Sequence, residues 1–179
     1  MRKMCSSVCN PSSICILLIS FLIMTPSQAF DLNSICKQSM NPSFCSLLLS
    51  SNPRVTEALL RSLAGVTVDL GYSNTTATRD HIVKWKNRTD NPALRLRYTS
   101  CAGNYNEAVA NFKEAKEKAK VGDYNGVRNA AAGALGEFNG CSENFKQPPS
   151  EPTSLWQDTK DLLNLSSIIL IVSNTLLHK

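Results

Sequence analysis

Histidine is scarce in this chain: His81 and His178 are the only two among 179 residues. His81 follows Asp80 in a polar stretch and reads as surface, and His178 lies one residue from the end. The rest of the catalytic vocabulary is missing too. There is no G-x-S-x-G, no H-E-x-x-H and no phosphate-cradling glycine loop, so no nucleophile, metal or cofactor is marked. The cysteines contain no C-x2-C pair, which excludes the common zinc spacings. Neither apolar run, Ile14 to Met24 or Ile168 to Val172, approaches the roughly 20 residues of a membrane span. These absences point away from an enzyme.

The first 29 residues read as a secretory signal. Arg2 and Lys3 form a basic start, the run from Ile14 to Met24 is mostly apolar, and Ser27-Gln28-Ala29 is a small-residue cleavage site. The mature chain is expected to begin near Phe30. It is one domain of about 150 residues, with residues 30–50 as a hairpin and 51–179 as the main body. Loss of Arg2 and Lys3 lowers the Lys and Arg count from 19 to 17 against 14 acidic residues, a net +3. That is too weak for a nucleic-acid binder, though compatible with a mild attraction to an acidic polymer.

Cys5, Cys9 and Cys15 leave with the signal, and Cys36, Cys45, Cys101 and Cys141 remain. Four cysteines in an oxidising compartment suggest two disulfides with three possible connectivities.

The periodicity is helical. Val55, Leu59, Leu63, Val66 and Leu70 lie on one face of a helix that extends to about Lys86, with a break possible at Gly71. Leu94, Tyr98, Cys101, Tyr105, Ala108, Phe112, Ala115 and Ala119 form a bundle-facing stripe. Val127, Ala131, Ala134, Phe138, Cys141 and Phe145 form the next. Between them Gly122 is placed to stop one helix and Asp123 to cap the other. Residues equally distant from such a turn lie side by side, which pairs Cys101 with Cys141. The same test centres Cys36 and Cys45 on Met40-Asn41, just before Pro42.

Gln147-Pro148-Pro149-Ser150-Glu151-Pro152 must be a loop. Ser154 and Gln157 then have the spacing of a capping box for a last helix with the stripe Leu155, Leu162, Leu165, Ile169, Val172 and Leu176. The fold class is therefore all-α, an up-and-down four-helix bundle behind an N-terminal disulfide-closed helical hairpin.

Several motifs resemble the plant invertase and pectin methylesterase inhibitor family. They are Asn41-Pro42-Ser43-Phe44-Cys45, Arg97-Tyr98-Thr99-Ser100-Cys101, Asn104-Tyr105-Asn106-Glu107-Ala108, Gly122-Asp123-Tyr124-Asn125, Cys141-Ser142-Glu143-Asn144-Phe145 and the last-helix run Ile168 to Asn174. The resemblance implies a non-enzymatic protein, without cofactor, that forms a stoichiometric complex with its target enzyme in the apoplast or cell wall. Invertase inhibitors of the family carry Pro-Lys-Phe after the Gly-Asp turn. This chain has Tyr124-Asn125-Gly126 there, which favours pectin methylesterase as the partner. Acid invertase, or a non-inhibitory wall or pollen role, is the alternative. The chain also departs from the family in Asn139-Gly140-Cys141 and in Ala131-Ala132-Gly133-Ala134.

Inhibition by occlusion requires an exposed helix face and no reactive residue. Asn106, Asn111, Lys113, Asn125 and Asn129, polar and off the core stripes, are the candidate partner-binding residues. Gly133 and Gly136 are expected to cost their helix roughly 1 kcal/mol each against Ala. Asn74-Thr75-Thr76 and Asn87-Arg88-Thr89 are the candidate glycosylation sites. A third triplet at Asn164 falls among predicted buried positions.

Overall fold

A computed structural model of the chain describes residues 32–51 and 60–178. The signal and its cleavage site, and stripe positions Val55 and Leu59, lie outside the described residues. Six helices are present among them: α1 Leu32–Gln38, α2 Pro42–Ser51, α3 Leu60–Arg88, α4 Pro92–Lys120, α5 Tyr124–Glu143 and α6 Leu155–Leu177.

The four long helices form a closed square. Each packs on its neighbours in sequence, α6 closes against α3, and the diagonal pair α4 and α6 meets through long side chains across the interior. Short turns at 89–91 and 121–123 and a longer loop at 144–154 join antiparallel neighbours in this up-and-down arrangement. The α4 stripe from Leu94 to Ala115 is buried, as are Val127, Ala131, Ala134, Phe138 and Cys141 on α5. Tyr105 and Phe138 meet across the interior with ring centroids 5.3 Å apart. Inside the bundle the Thr159 hydroxyl donates to the Leu155 carbonyl at 2.7 Å, so the Tyr105 hydroxyl, 2.9 Å away, donates to Thr159. Burial raises the Tyr105 pKa, which keeps that donor protonated.

The hairpin α1–α2 is closed by Cys36–Cys45 and lies on α6. Helix α6 is long and apolar enough to cross a membrane by length and composition alone. Its apolar face is instead turned inward, with Leu162, Leu165, Ile168, Ile169 and Val172 buried against the bundle.

Two local expectations are corrected. Helix α3 runs through Gly71 without a break. A Cβ there would stand 2.6 Å from Phe112 Cε1, so the glycine serves close approach of α4 rather than helix termination. The Ser154–Gln157 capping box does not form either. Ser154 makes no side-chain cap bond, and its hydroxyl donates to Asp158 Oδ2 at 3.2 Å. Gln157 turns to Asp161 at 2.9 Å. Thr153 takes over the cap, its Oγ1 accepting from the Leu155 N–H at 3.2 Å. Thr153, next to Ser154 in sequence, is turned toward the helix start by Glu151, whose carboxylate accepts from both its N–H and its hydroxyl.

Candidate functional site

The α4–α5 hairpin is built around Gly122, whose φ of +75° sets the reversal. Asp123 then caps α5. Its Oδ1 accepts from the Gly126 N–H at 2.8 Å, and Oδ2 pairs with Lys118 Nζ at 3.2 Å. The Gly126 bond, then Lys118, holds the Asp123 carboxyl below the usual carboxylate range. On the other flank of α4, Lys116 bridges to α3, with Nζ 2.9 Å from Asp69 Oδ1 and 4.8 Å from the Tyr72 ring centroid.

Cys101 and Cys141 join the first third of α4 to the end of α5, far from the Gly122 turn, with Cα atoms 4.6 Å apart. Outside that staple runs a second ladder. Gly126, Gly133 and Gly140 recur every seven residues on α5, and Lys118, Asn111 and Asn104 lie opposite them on α4, each pair equidistant from Gly122. A Cβ on Gly133 would sit 3.0 Å from both carboxamide heteroatoms of Asn111, and one on Gly140 would sit 3.0 Å from Asn104 Nδ2. The glycines make a trough for the asparagine side chains. Asn104 then donates to Glu137 Oε2 at 2.8 Å, tying the helices together again.

The outward surface of α5 is consequently low in relief: Asn125, Asn129, Ala132, Gly133 and Gly136 are all exposed. Asn125 accepts from Arg128 at 2.7 Å, and Arg128 reaches Asn174 of α6 at 3.4 Å. Of the five candidate binding residues, the structure therefore groups Asn111, Asn125 and Asn129 on the α5 side. Asn106 and Lys113, seven residues apart, share the opposite flank of α4, beside Lys116 and α3. The glycines were visible in sequence only as helix weakeners. Their seven-residue spacing, matched to that of the asparagines, was the available signal.

Asn74 and Asn87 are exposed on α3, diagonal to α5, whereas Asn164 is buried. Among the described residues no group of three His, Cys, Asp or Glu side chains is placed to hold a metal.

A family model described as plant invertase/pectin methylesterase inhibitor matches residues 31–172, which takes in the hairpin and nearly all of the bundle. The chain belongs to that family. This is a plant invertase/pectin methylesterase inhibitor family member, a protein of inhibitor rather than enzyme type. It is 30% identical to a pectinesterase inhibitor of Actinidia deliciosa, over 97% of this chain and 98% of that one. It is 27% identical to pectinesterase inhibitor 2 of Arabidopsis thaliana, over 87% and 91%. A crystal structure of a mutant pectin methylesterase inhibitor from Arabidopsis superposes with a TM-score of 0.75 at 29% identity, covering 80% of this chain and 95% of the other. A Platanus acerifolia relative, 23% identical over 92% of this chain, carries the words invertase inhibitor in its name.

Proposed function

We propose that this chain is a secreted inhibitor of plant pectin methylesterase, which it binds one to one and whose substrate cleft it covers with the outward face of the α4–α5 hairpin. The observation that carries the choice of enzyme is the closed turn at Gly126. A Cβ at that position would meet Asp123 Oδ2 at 2.6 Å and Lys118 Cδ at 2.8 Å. A Pro-Lys-Phe motif at positions 124–126 would put a phenylalanine where this capping pair stands, so the turn is built for capping and not for presenting an aromatic ring. Support comes also from the pectinesterase inhibitors that match the chain almost end to end. The flat stretch Asn129, Ala132, Gly133 and Gly136 lets a partner's backbone approach closely. Together with α4 it supplies the roughly 800 Å² per partner that a stable complex requires.

The signal-like first 29 residues and the two disulfides fit secretion to the apoplast. Asn74 and Asn87 are the proposed glycan sites. On α3, diagonal to α5, sugars there leave the docking face open. A mass loss on endoglycosidase treatment of the plant-expressed protein, absent from an Asn74→Gln, Asn87→Gln variant, checks this.

The deciding assay adds the oxidised protein, from about residue 30 onward, to purified pectin methylesterase and to acid invertase at mildly acidic pH. Saturable, equimolar inhibition of the esterase alone is expected. Inhibition of invertase alone, the reading suggested by the Platanus relative, or of neither enzyme, refutes the proposal. Asn129→Arg should weaken esterase inhibition by roughly tenfold or more with melting unchanged, the behaviour of a residue at the centre of an interface.

A further inference from the structure

A cavity of about 680 Å³ opens where the end of α5, the loop after it and the start of α6 converge. Its size is that of a small-ligand site. Phe145, Trp156 and Leu163 form an apolar floor, and Asn139, Glu143 and Lys146 stand at the rim. Trp156 is 64% exposed although it borders a cavity. A large indole left open to water beside a cleft is a feature that the packing of the bundle does not require.

The walls are preformed. Phe145 is held between the Tyr98 ring, 5.6 Å away, and the Arg97 guanidinium, 5.9 Å away. Arg97 also donates to the carbonyls of Gln147, Pro148 and Pro149, fixing the loop from its inner side. The Glu151 carboxylate accepts from the Tyr98 hydroxyl at 2.6 Å and from the Thr153 N–H at 2.9 Å. Burial first, and Glu151 second, raise the Tyr98 pKa, so that hydroxyl keeps its proton.

An aromatic plane next to hydrogen-bonding side chains matches a pyranose, which has one flat C–H face and an edge of hydroxyls. Charge narrows the choice. Two carboxylates, Glu143 and Glu151, border the cavity against one ammonium, Lys146, which already pairs with Glu143 at 2.7 Å. An anionic ring would be repelled and a neutral one tolerated. A side notch of about 20 Å³ adjoins the cavity, sharing Phe145 and Trp156 and backed by Leu155 and Cys141. It has room for one group of methyl size.

We propose that this cavity binds a methyl-esterified uronide ring of a pectin chain, stacked on Trp156 with its ester methyl in the notch. The choice of this polysaccharide rests on the proposed function; the neutral ring and the methyl group rest on the cavity. The protein would then be held on the esterified polymer at the end of α5, next to the docking stretch that the same helix presents to the enzyme.

The test is calorimetric titration of the disulfide-intact protein with three oligomers: a fully methyl-esterified oligogalacturonide, the same oligomer de-esterified, and a cello-oligosaccharide. The esterified oligomer is expected to bind, the other two at least roughly tenfold more weakly. Trp156→Ala is expected to weaken binding by about tenfold, the size of one aromatic contact, while leaving melting and inhibition of pectin methylesterase unchanged. Asn139→Ala, at an exposed rim position, gives a second variant that does not touch the core. Absence of binding to the ester, equal binding of either other oligomer, or full binding by Trp156→Ala would each overturn the site. A protein that binds the ester but does not inhibit the esterase would sink the proposed function and leave this site standing.

Discussion

Replacing a helical glycine by alanine should have opposite effects at two positions in this bundle. Gly136 is exposed on α5, and a Cβ there would meet nothing within 4 Å. Gly136→Ala should therefore deliver the full difference in helix propensity, a gain of about 1 kcal/mol. Gly71 has the same propensity to gain, but its Cβ would lie 2.6 Å from Phe112 Cε1 and 2.9 Å from Cζ. Those separations are about 1 Å inside the optimum for carbon atoms. Phe112 is 0% exposed and packed in the core, with its ring 6.3 Å from that of Phe138. Overpacking of this kind costs about 1–3 kcal/mol. With so short a contact the upper end applies, leaving a net loss of about 2 kcal/mol after the propensity gain. For a domain of this size 1 kcal/mol moves Tm by about 2–4 °C. Thermal unfolding followed by circular dichroism, disulfides intact, should show Gly136→Ala melting above the native protein and Gly71→Ala clearly below it. A Gly71→Ala protein as stable as the native one would mean that α3 does not lie against the Phe112 ring, and the packing of α3 on α4 described above would be wrong.

Removing the α4–α5 staple with Cys101→Ser, Cys141→Ser should lower stability by about 3.9 kcal/mol on the loop-entropy scale, and removing Cys36–Cys45 by about 2.7; denaturant unfolding that ranks the two in the reverse order contradicts this. Arg97→Ala deletes the donors to three loop carbonyls, and at about 0.5–1.5 kcal/mol per net bond it should lower stability by a few kcal/mol at most and expose residues 146–153 to protease. Unchanged proteolysis of that loop would show that Arg97 does not hold it. The Asp123 cap should weaken in acid. Its folded pKa is depressed, so its contribution is complete above the ordinary carboxylate range and is lost as pH falls through the lower folded value. The native protein should out-melt Asp123→Asn near neutral pH, and the gap should narrow as pH falls below the ordinary carboxylate range; a gap that is constant with pH refutes the role of the charge.

Helix content, helix order and the buried faces of α4, α5 and α6 were legible in the sequence because each helix carries its own apolar stripe. Residues Leu94 to Ala115 repeat at three and four, and that periodicity alone says which side faces the bundle. The turn at Gly122-Asp123 was legible for the same local reason, since a left-handed glycine and a capping aspartate act within a few residues of each other. Contacts between elements were not. Gly71 looks like a weak point until Phe112, 41 positions later, is placed against it. Ser154 and Gln157 have the spacing of a cap, yet Thr153 takes that place because Glu151, anchored by the Tyr98 hydroxyl of α4, orients it.

The candidate docking face follows the same division. The sequence marked Asn106, Asn111, Lys113, Asn125 and Asn129 as polar and off the core, which is a one-helix property. Only the packing of α4 on α5 separated them into two flanks and seated Asn111 over Gly133. The Trp156 cavity was invisible in the sequence, because its floor and rim come from α5, the loop and α6, and no period or motif links them. What each helix buries is a matter of short-range repetition and was written in the chain. What the surface offers to a partner or a polysaccharide depends on side chains far apart in sequence, and only tertiary packing brings those together.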